Sequence, residues 1–94
     1  IGAFLLEALR GIDSPLVKEV RGKGLFVGLE IDPAKGSARE VVERLMHKGL
    51  LSKETHETVV RLAPPLSIST DELEWAVARI GEVLADMDRL RKAS

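Results

Sequence analysis

The stretch LVKEVRGKGLFVGLEI, residues 16–31, decides the fold because two strand-like runs flank a pair of glycines. Every second residue from Leu25 to Ile31 is apolar and falls on one face of a strand, since successive side chains in a strand point to opposite faces. Gly22-Lys23-Gly24, between the two runs, suits a tight reversal with positive φ angles. The segment is therefore predicted to form a β-hairpin. The other face of its second arm carries Phe26, Gly28 and Glu30.

Two helices and one further strand are predicted around this hairpin. Residues 1–10 have apolar side chains at helical spacing, and Gly11 is the expected stop. A helix between the capping-box start at Ser37 and Gly49 follows the hairpin. Residues 53–57 are polar and predicted to be a loop, whereas residues 58–63 are predicted to be a strand. The residues that the middle helix is expected to bury are Val41, Val42, Leu45 and Met46.

The last helix has the clearest pattern in the sequence. Ser69 and Glu72 are spaced as a second capping box, and apolar residues recur at three- and four-residue steps from Leu73 to Leu90. The helix is expected to run to about Leu90, with residues 91–94 frayed. Helix, hairpin, helix, strand and helix in that order predict an α+β domain over residues 1–94. Its expected core is a small, mostly antiparallel sheet of three to four strands packed against helices.

Composition excludes several classes of function. Fourteen basic and fifteen acidic residues give a net charge of −1, so the chain lacks the basic surface that nucleic-acid binding requires. Cysteine is absent, which excludes disulfides and thiolate chemistry. No apolar run approaches the roughly 20 residues that span a bilayer. We therefore expect neither nucleic acid nor membrane as a partner. The start at Ile1, inside an expected helix, is interpreted as the start of a piece of a longer protein.

Arg61 is the strongest candidate for ligand binding. It lies on the last predicted strand, facing away from Val60 and Leu62, and Pro64-Pro65 follows closely. The paired prolines fix the direction in which the backbone leaves the strand, so the arginine is expected to be mounted rigidly. A planar guanidinium in a fixed position suits bidentate binding of a carboxylate. The alternative is a surface arginine in a weak ion pair, which is the commoner case.

The remaining polar features are weaker candidates. His47 is expected in the last turn of a helix and His56 in a polar loop, and two histidines without cysteine are a weak metal signal. We expect no metal site. Gly22-Lys23-Gly24 is not followed by a helix, so a hairpin turn fits it better than a phosphate-binding loop. The acidic residues of the last helix are expected to form a solvated face.

Three segments resemble the ornithine aminotransferases, which are class III pyridoxal-phosphate-dependent aminotransferases of fold type I. Residues 49–66, GLLSKETHETVVRLAPPL, carry the most specific part, an arginine followed by two apolar residues and a double proline. That motif also recurs in acetylornithine aminotransferases, whereas the Lys53-x-Thr55-His56 run favours ornithine. VRGKGL at residues 20–25 resembles the hairpin of these enzymes, and ISTDEL at residues 68–73 resembles the start of their C-terminal helix. The resemblance covers nearly the whole chain in the right order.

The resemblance implies a role within a larger enzyme. The chain would be the C-terminal small domain of ornithine:2-oxoglutarate δ-aminotransferase, which converts ornithine and 2-oxoglutarate to glutamate semialdehyde and glutamate. Arg61 matches the arginine that pairs with a substrate carboxylate. The parent would use pyridoxal 5′-phosphate, bind amino acids and 2-oxo acids, form a homodimer and be cytoplasmic.

The resemblance also implies that this chain lacks the catalytic centre. The Schiff-base lysine of these enzymes, the aspartate for the pyridine nitrogen and the phosphate-binding residues all lie upstream of the matching segment. None of the lysines here stands in the matching context, namely Lys18, Lys23, Lys35, Lys48, Lys53 and Lys92. We therefore expect no catalytic and no cofactor-binding residue in the chain, and no transaminase activity from it alone.

Three other functions stay open at this point. One is the small domain of an acetylornithine-type aminotransferase. Another is a stand-alone amino-acid-binding regulatory module, since helix-backed antiparallel sheets of this size often bind small ligands. The last is a purely structural dimerisation domain.

Overall fold

A computed structural model describes residues 2–23, 26–55, 58–63 and 67–93. Within these ranges the chain forms three helices and four strands. In chain order they are α1 (Gly2–Arg10), β1 (Val17–Lys23), β2 (Phe26–Ile31), α2 (Ala38–His47), β3 (Lys53–Thr55), β4 (Val59–Leu62) and α3 (Thr70–Ala93). The predicted α+β fold is confirmed, with all four strands in one antiparallel sheet.

The strand order of the sheet is β1-β2-β4-β3, so the hairpin occupies one half and the later strands the other. Two central strands, β2 and β4, meet in the middle although they are distant in sequence. Their register places Gly28 opposite Arg61. Arg21 of β1 lies opposite Gly28 on the other side, and Lys53 of β3 lies opposite Arg61. One row across the sheet therefore reads Arg21, Gly28, Arg61 and Lys53.

The prediction of a loop at residues 53–57 was wrong for the first three, because Lys53–Thr55 forms the edge strand β3, and residues 56–57 lie outside the described residues. A polar strand has little hydrophobic alternation to reveal it, and polar or charged residues are common on sheet edges. Pairing with β4 gives the backbone groups of β4 partners on its outer side. The first two residues of the predicted turn, Gly22 and Lys23, belong to β1 instead. Gly24 of that predicted turn lies outside the described residues.

One face of the sheet is covered by the helices. The alternating residues on this face are buried, and they join buried residues of all three helices in a single hydrophobic core. From the strands this core contains Val20, Val27, Leu29, Ile31, Val60 and Leu62. The side chains between them, among them Arg21, Phe26 and Arg61, point to the opposite face and are exposed. No helix of the described chain packs on that open face.

The helix ends follow the predicted capping chemistry. The Glu40 N–H donates to Ser37 Oγ at 2.9 Å at the start of α2. At the start of α3, Ser69 and Glu72 exchange backbone-to-side-chain hydrogen bonds at 3.1 and 3.3 Å. Gly49 follows α2 with φ +91°, and Leu50 N–H donates to the Leu45 carbonyl at 2.9 Å. This is a Schellman ending, which favours glycine because the left-handed conformation crowds a Cβ.

Three details of the helices differ from expectation. Met46, predicted to be in the core, is 53% exposed because it lies outside the stripe formed by Ala38, Val41 and Leu45. Leu90 is 45% exposed. Helix α3 continues to Ala93 rather than fraying after Leu90. Asp88 stabilises this last turn by pairing with Arg91 at 2.6 Å and Lys92 at 3.0 Å.

Candidate carboxylate site on the open face of the sheet

Arg61 projects from the centre of the sheet on the open face. It is flanked in sequence by Val60 and Leu62, which point into the core, so the alternation of β4 sends Arg61 outward. The side chain is exposed. The expected orientation of Arg61 is confirmed. Pro64 and Pro65, which were expected to fix the exit of this strand, lie outside the described residues.

The aromatic ring of Phe26 lies against the guanidinium of Arg61. The guanidinium carbon lies over the ring, 4.7 Å from its centroid, which is a cation–π contact. Within the described residues, no carboxylate lies within ion-pair distance of Arg61. The hydrogen-bond donors of Arg61 thus lie near a ring, and no acid among the described residues occupies them.

Arg21 lies on the same face but, unlike Arg61, pairs with acidic side chains of the described residues. Its Nη2 donates to Glu30 Oε1 at 2.6 Å, and its Nε lies 3.7 Å from Glu19 Oε2. The charge of Arg21 is therefore balanced by two acids of the hairpin. Among the described residues of the open face, Arg21 has acid partners and Arg61 has none, so the donors of Arg61 are the ones available to a ligand carboxylate.

The two arginines border one open concavity of about 610 Å³. Its lining residues are Arg21, Gly22, Phe26, Gly28, Thr55, Val59 and Arg61. Gly28 lies directly opposite Arg61 in the sheet. Because glycine has no side chain, the surface of the sheet beside Arg61 is uncovered at this position. A small carboxylate could approach the guanidinium over this glycine and accept two parallel N–H bonds.

The histidines do not join this site in the described chain. His47 ends α2 and is exposed on the helical layer, as its predicted place in the last turn requires. His56 lies outside the described residues. Among the residues that are described, no three of the types His, Cys, Asp and Glu are grouped to hold a metal ion.

The described lysines are not arranged as a pyridoxal-phosphate site requires. That cofactor needs a lysine in a cleft, an acid beside its ring nitrogen and a phosphate cradle. Lys35, Lys48 and Lys92 each pair with a surface carboxylate, on Asp32, Glu82 and Asp88. Lys18 and Lys53 are exposed on strands, and the side chain of Lys23 does not belong to the described part of the structure. The described residues of this chain therefore do not fit the cofactor.

The sequence pattern did not place Phe26 and Arg21 beside the concavity that Arg61 borders. Alternation along β2 places Phe26 and Gly28 on the same face, which was predicted. The alternation does not reveal that β2 pairs with β4, nor that Gly28 is the residue opposite Arg61. Only that register makes Phe26 a diagonal neighbour of Arg61, within reach of a long side chain.

Comparison with known proteins identifies the family. A sequence profile of the family described as Aminotransferase class-III matches residues 1–84. The chain belongs to this family. The resemblance to class III aminotransferases that the motifs indicated is thereby confirmed.

Relatives within the class III aminotransferases are close and longer. The ornithine aminotransferase of Brevibacillus brevis is 52% identical over 84 residues, which are 89% of this chain and 20% of the relative. The ornithine aminotransferase of Toxoplasma gondii superposes with a TM-score of 0.85 at 35% identity, over 97% of this chain and 22% of that one. Its structure shows pyridoxal phosphate at partial occupancy in the active site. The chain thus spans about a fifth of the length of these relatives.

The fold is also shared with an aminotransferase that is named for acetylornithine rather than ornithine. An acetylornithine aminotransferase from Elizabethkingia anophelis superposes with a TM-score of 0.80 at 30% identity, over 90% of this chain and 23% of that one. The domain architecture is thus common to enzymes named for different amino donors.

No helix within the described ranges is long and apolar enough to cross a membrane.

Proposed function

We propose that this chain is the C-terminal small domain of a longer pyridoxal-phosphate-dependent aminotransferase that moves the δ-amino group of ornithine to 2-oxoglutarate. Within that enzyme, Arg61 binds a carboxylate of the 2-oxo acid. The pyridoxal phosphate and the lysine that holds it belong to the part of the parent outside this chain. The chain contributes binding and orientation of the substrate.

The observation that carries this proposal is that Arg61 is exposed on the open face without an acid partner among the described residues. Its side chain also borders a concavity of about 610 Å³. A dicarboxylate such as 2-oxoglutarate supplies the missing anion. The 52% identity to ornithine aminotransferases supports ornithine as the amino donor.

Replacement of Arg61 in the full-length parent tests the proposal. Arg61→Ala removes one member of a charge pair, and such a loss costs about 2–5 kcal/mol when the pair is desolvated. The side chain is exposed in this chain, so we expect the lower end of that range. We predict that kcat/KM for 2-oxoglutarate falls by about thirtyfold or more. Steady-state kinetics with ornithine held at saturation measures the effect.

Two matched arginine variants separate this role from general surface charge. Arg21→Ala removes a cation of the same face whose charge Glu30 and Glu19 already balance. Arg39→Ala removes a cation of α2 that pairs with Glu43 on the helical layer. Both should affect kcat/KM for 2-oxoglutarate much less than Arg61→Ala. Wild-type kinetics with 2-oxoglutarate in the Arg61→Ala enzyme would remove Arg61 from the site.

Acetylornithine is the second candidate amino donor. The superposition with the acetylornithine aminotransferase is compatible with it, because the two kinds of enzyme share this fold. The greater sequence identity to ornithine aminotransferases favours ornithine. The ratio of kcat/KM for the two donors in the purified parent decides between them. A preference for acetylornithine would assign the domain to that enzyme and leave the role of Arg61 intact.

The chain alone should not catalyse amino transfer. Its described lysines lie on the surface, three of them in ion pairs, and none fits a cofactor site. Cofactor-dependent transamination by the purified 94-residue chain would contradict this expectation. Calorimetry of the same chain with 2-oxoglutarate, glutamate and ornithine tests the regulatory-module alternative, which requires clear binding without the rest of the enzyme.

A further inference from the structure

We propose that Phe26 is a positioning residue, whose ring holds the guanidinium of Arg61 in place to receive the carboxylate of the 2-oxo acid. The inference rests on the proposed function of Arg61 and adds a residue to it. Its basis is the contact across the β2–β4 pair, where the Arg61 guanidinium carbon lies 4.7 Å from the Phe26 centroid.

The register of the sheet brings these two side chains together. Gly28 lies opposite Arg61, so Phe26, two residues before Gly28, is the diagonal neighbour of Arg61 on the same face. Gly28 places no side chain between them. Phe26 is 41% exposed, although phenylalanine side chains are usually buried in folded proteins. Its ring therefore contributes to the open face rather than to the hydrophobic core.

The chemistry of the contact leaves Arg61 free to bind. A ring that lies against a guanidinium attracts its positive charge through the π-electrons. The N–H donors of a guanidinium lie in its plane, so they remain free for a carboxylate. An acid partner would restrict the side chain as well, but it would occupy these donors, as Glu30 does for Arg21. The aromatic contact restricts Arg61 without that competition.

The benefit is a smaller ordering cost on binding. An arginine has many rotamers, and fixing them when the ligand arrives reduces the affinity. A side chain that is already held over Phe26 loses less freedom. Because this effect concerns the bound carboxylate rather than the bond-making step, Phe26 should influence KM for 2-oxoglutarate and leave kcat nearly unchanged.

The test compares Phe26→Leu with Phe26→Tyr in the full-length enzyme loaded with its cofactor. Leucine keeps an apolar side chain but removes the ring, whereas tyrosine keeps the ring. We expect Phe26→Leu to raise KM for 2-oxoglutarate roughly two- to thirtyfold, the range of a cation–π contact from exposed to desolvated surroundings. Phe26→Tyr should retain a KM close to that of the wild type, with kcat nearly constant in both variants.

Trp75→Leu is the matched control. Trp75 is 42% exposed and lies near Arg79, whose guanidinium carbon is 5.5 Å from the indole centroid, on helix α3. This variant removes an exposed aromatic ring and a cation–π contact away from the open face. We expect wild-type KM for 2-oxoglutarate. Phe26→Met provides a second ringless variant if Phe26→Leu does not fold, and thermal unfolding monitors all of the variants.

The outcomes distinguish this inference from the proposed function. Normal KM in both ringless variants, together with a strong defect in Arg61→Ala, overturns the role of Phe26 and leaves that of Arg61. Equal defects in Phe26→Leu and Phe26→Tyr also overturn it, because the ring would then not be the property that matters. An Arg61→Ala enzyme with wild-type kinetics overturns the proposed function itself.

Discussion

On the helix-covered face of the sheet, Leu29 and Val60 are fully buried, whereas Arg61 and Phe26 on the opposite face are exposed. Both sets come from the same two central strands, β2 and β4. The buried residues of the covered face pack in one core with residues of the three helices. The open face holds an arginine that no acid of the described chain balances. The difference separates the residues that stabilise the domain from those available to a ligand.

Truncation of Leu29 should produce the largest effect on stability. Leu29 is 0% exposed and pairs across the sheet with Val20 and Val60, which are also buried. Leu29→Ala removes apolar contacts and leaves a cavity, so we expect a loss of about 2–5 kcal/mol in the free energy of unfolding. Equilibrium urea unfolding of the chain, followed by circular dichroism, measures the shift of the midpoint or the complete loss of the transition.

Arg61→Ala in the same assay is the open-face control for this comparison. Its side chain is exposed and its described contact is the ring of Phe26, so the loss should stay at or below about 1 kcal/mol. A Leu29→Ala chain as stable as Arg61→Ala would show that the two faces contribute equally to folding, which the burial pattern contradicts.

Two glycine-to-alanine substitutions compare the stability of the two faces again, with an expected loss smaller than that of Leu29→Ala. An alanine Cβ at Gly36 would lie 3.0 Å from Leu16 Cδ2 and 3.2 Å from Met87 Cε, both on buried side chains. Overpacking of this kind costs about 1–3 kcal/mol. We therefore expect Gly36→Ala to lower the urea midpoint.

The corresponding change on the open face should be milder. A Cβ at Gly28 would meet Val59 Cγ1 at 3.2 Å, but Val59 is only half-buried and has room to shift. Alanine also restricts the unfolded chain more than glycine does, which offsets part of any strain. Gly28→Ala should change the stability by less than about 1 kcal/mol. A greater loss for Gly28→Ala than for Gly36→Ala would contradict the assignment of the two faces.

The covered face was largely predictable from the sequence. Alternation in residues 25–31 and helical spacing in residues 73–90 depend on local burial. The core confirms the first pattern for residues 27–31, since Leu25 lies outside the described residues, and the second up to Met87, since Leu90 is exposed. Strand β3 was missed because its three residues, Lys53, Glu54 and Thr55, carry no apolar signal. Local patterns of this kind report burial, and an exposed edge strand has little of it.

The open-face site was predictable only in part. The position of Arg61 on the open face was predicted from its place on a strand, whereas its role in binding a carboxylate stays a prediction. Its contact with Phe26 depends on the pairing of Gly28 with Arg61, which are 33 positions apart in the chain. No local pattern specifies such a pairing, because the register follows from how the whole core packs. Contacts between residues of the open face therefore become visible only in the fold.

Charges that the chain balances itself should have small effects, and Asp88 provides the test. Its side chain is 16% exposed, and its oxygens lie 2.6 Å from Arg91 Nη2 and 3.0 Å from Lys92 Nζ. The hydrogen bond from Arg91, followed by that from Lys92, lowers the pKa of Asp88 below its ordinary value. A carboxyl whose pKa is lower in the folded than in the unfolded chain stabilises the fold when ionised.

The direction of the pKa shift of Asp88 determines how the stability of an Asp88→Asn variant depends on pH. The stabilisation by Asp88 should be fully present above the pKa of the unfolded aspartate, about 4. It should disappear as the pH falls through the lower pKa of the folded state. The variant should therefore have a slightly lower urea midpoint than the wild type at pH near 7, and the difference should vanish in strong acid. Asp86→Asn is the control, because Asp86 is 45% exposed and lies 3.5 Å from Arg89. A difference for Asp88→Asn that is equally large in acid would mean that the side chain acts through its shape rather than through its charge.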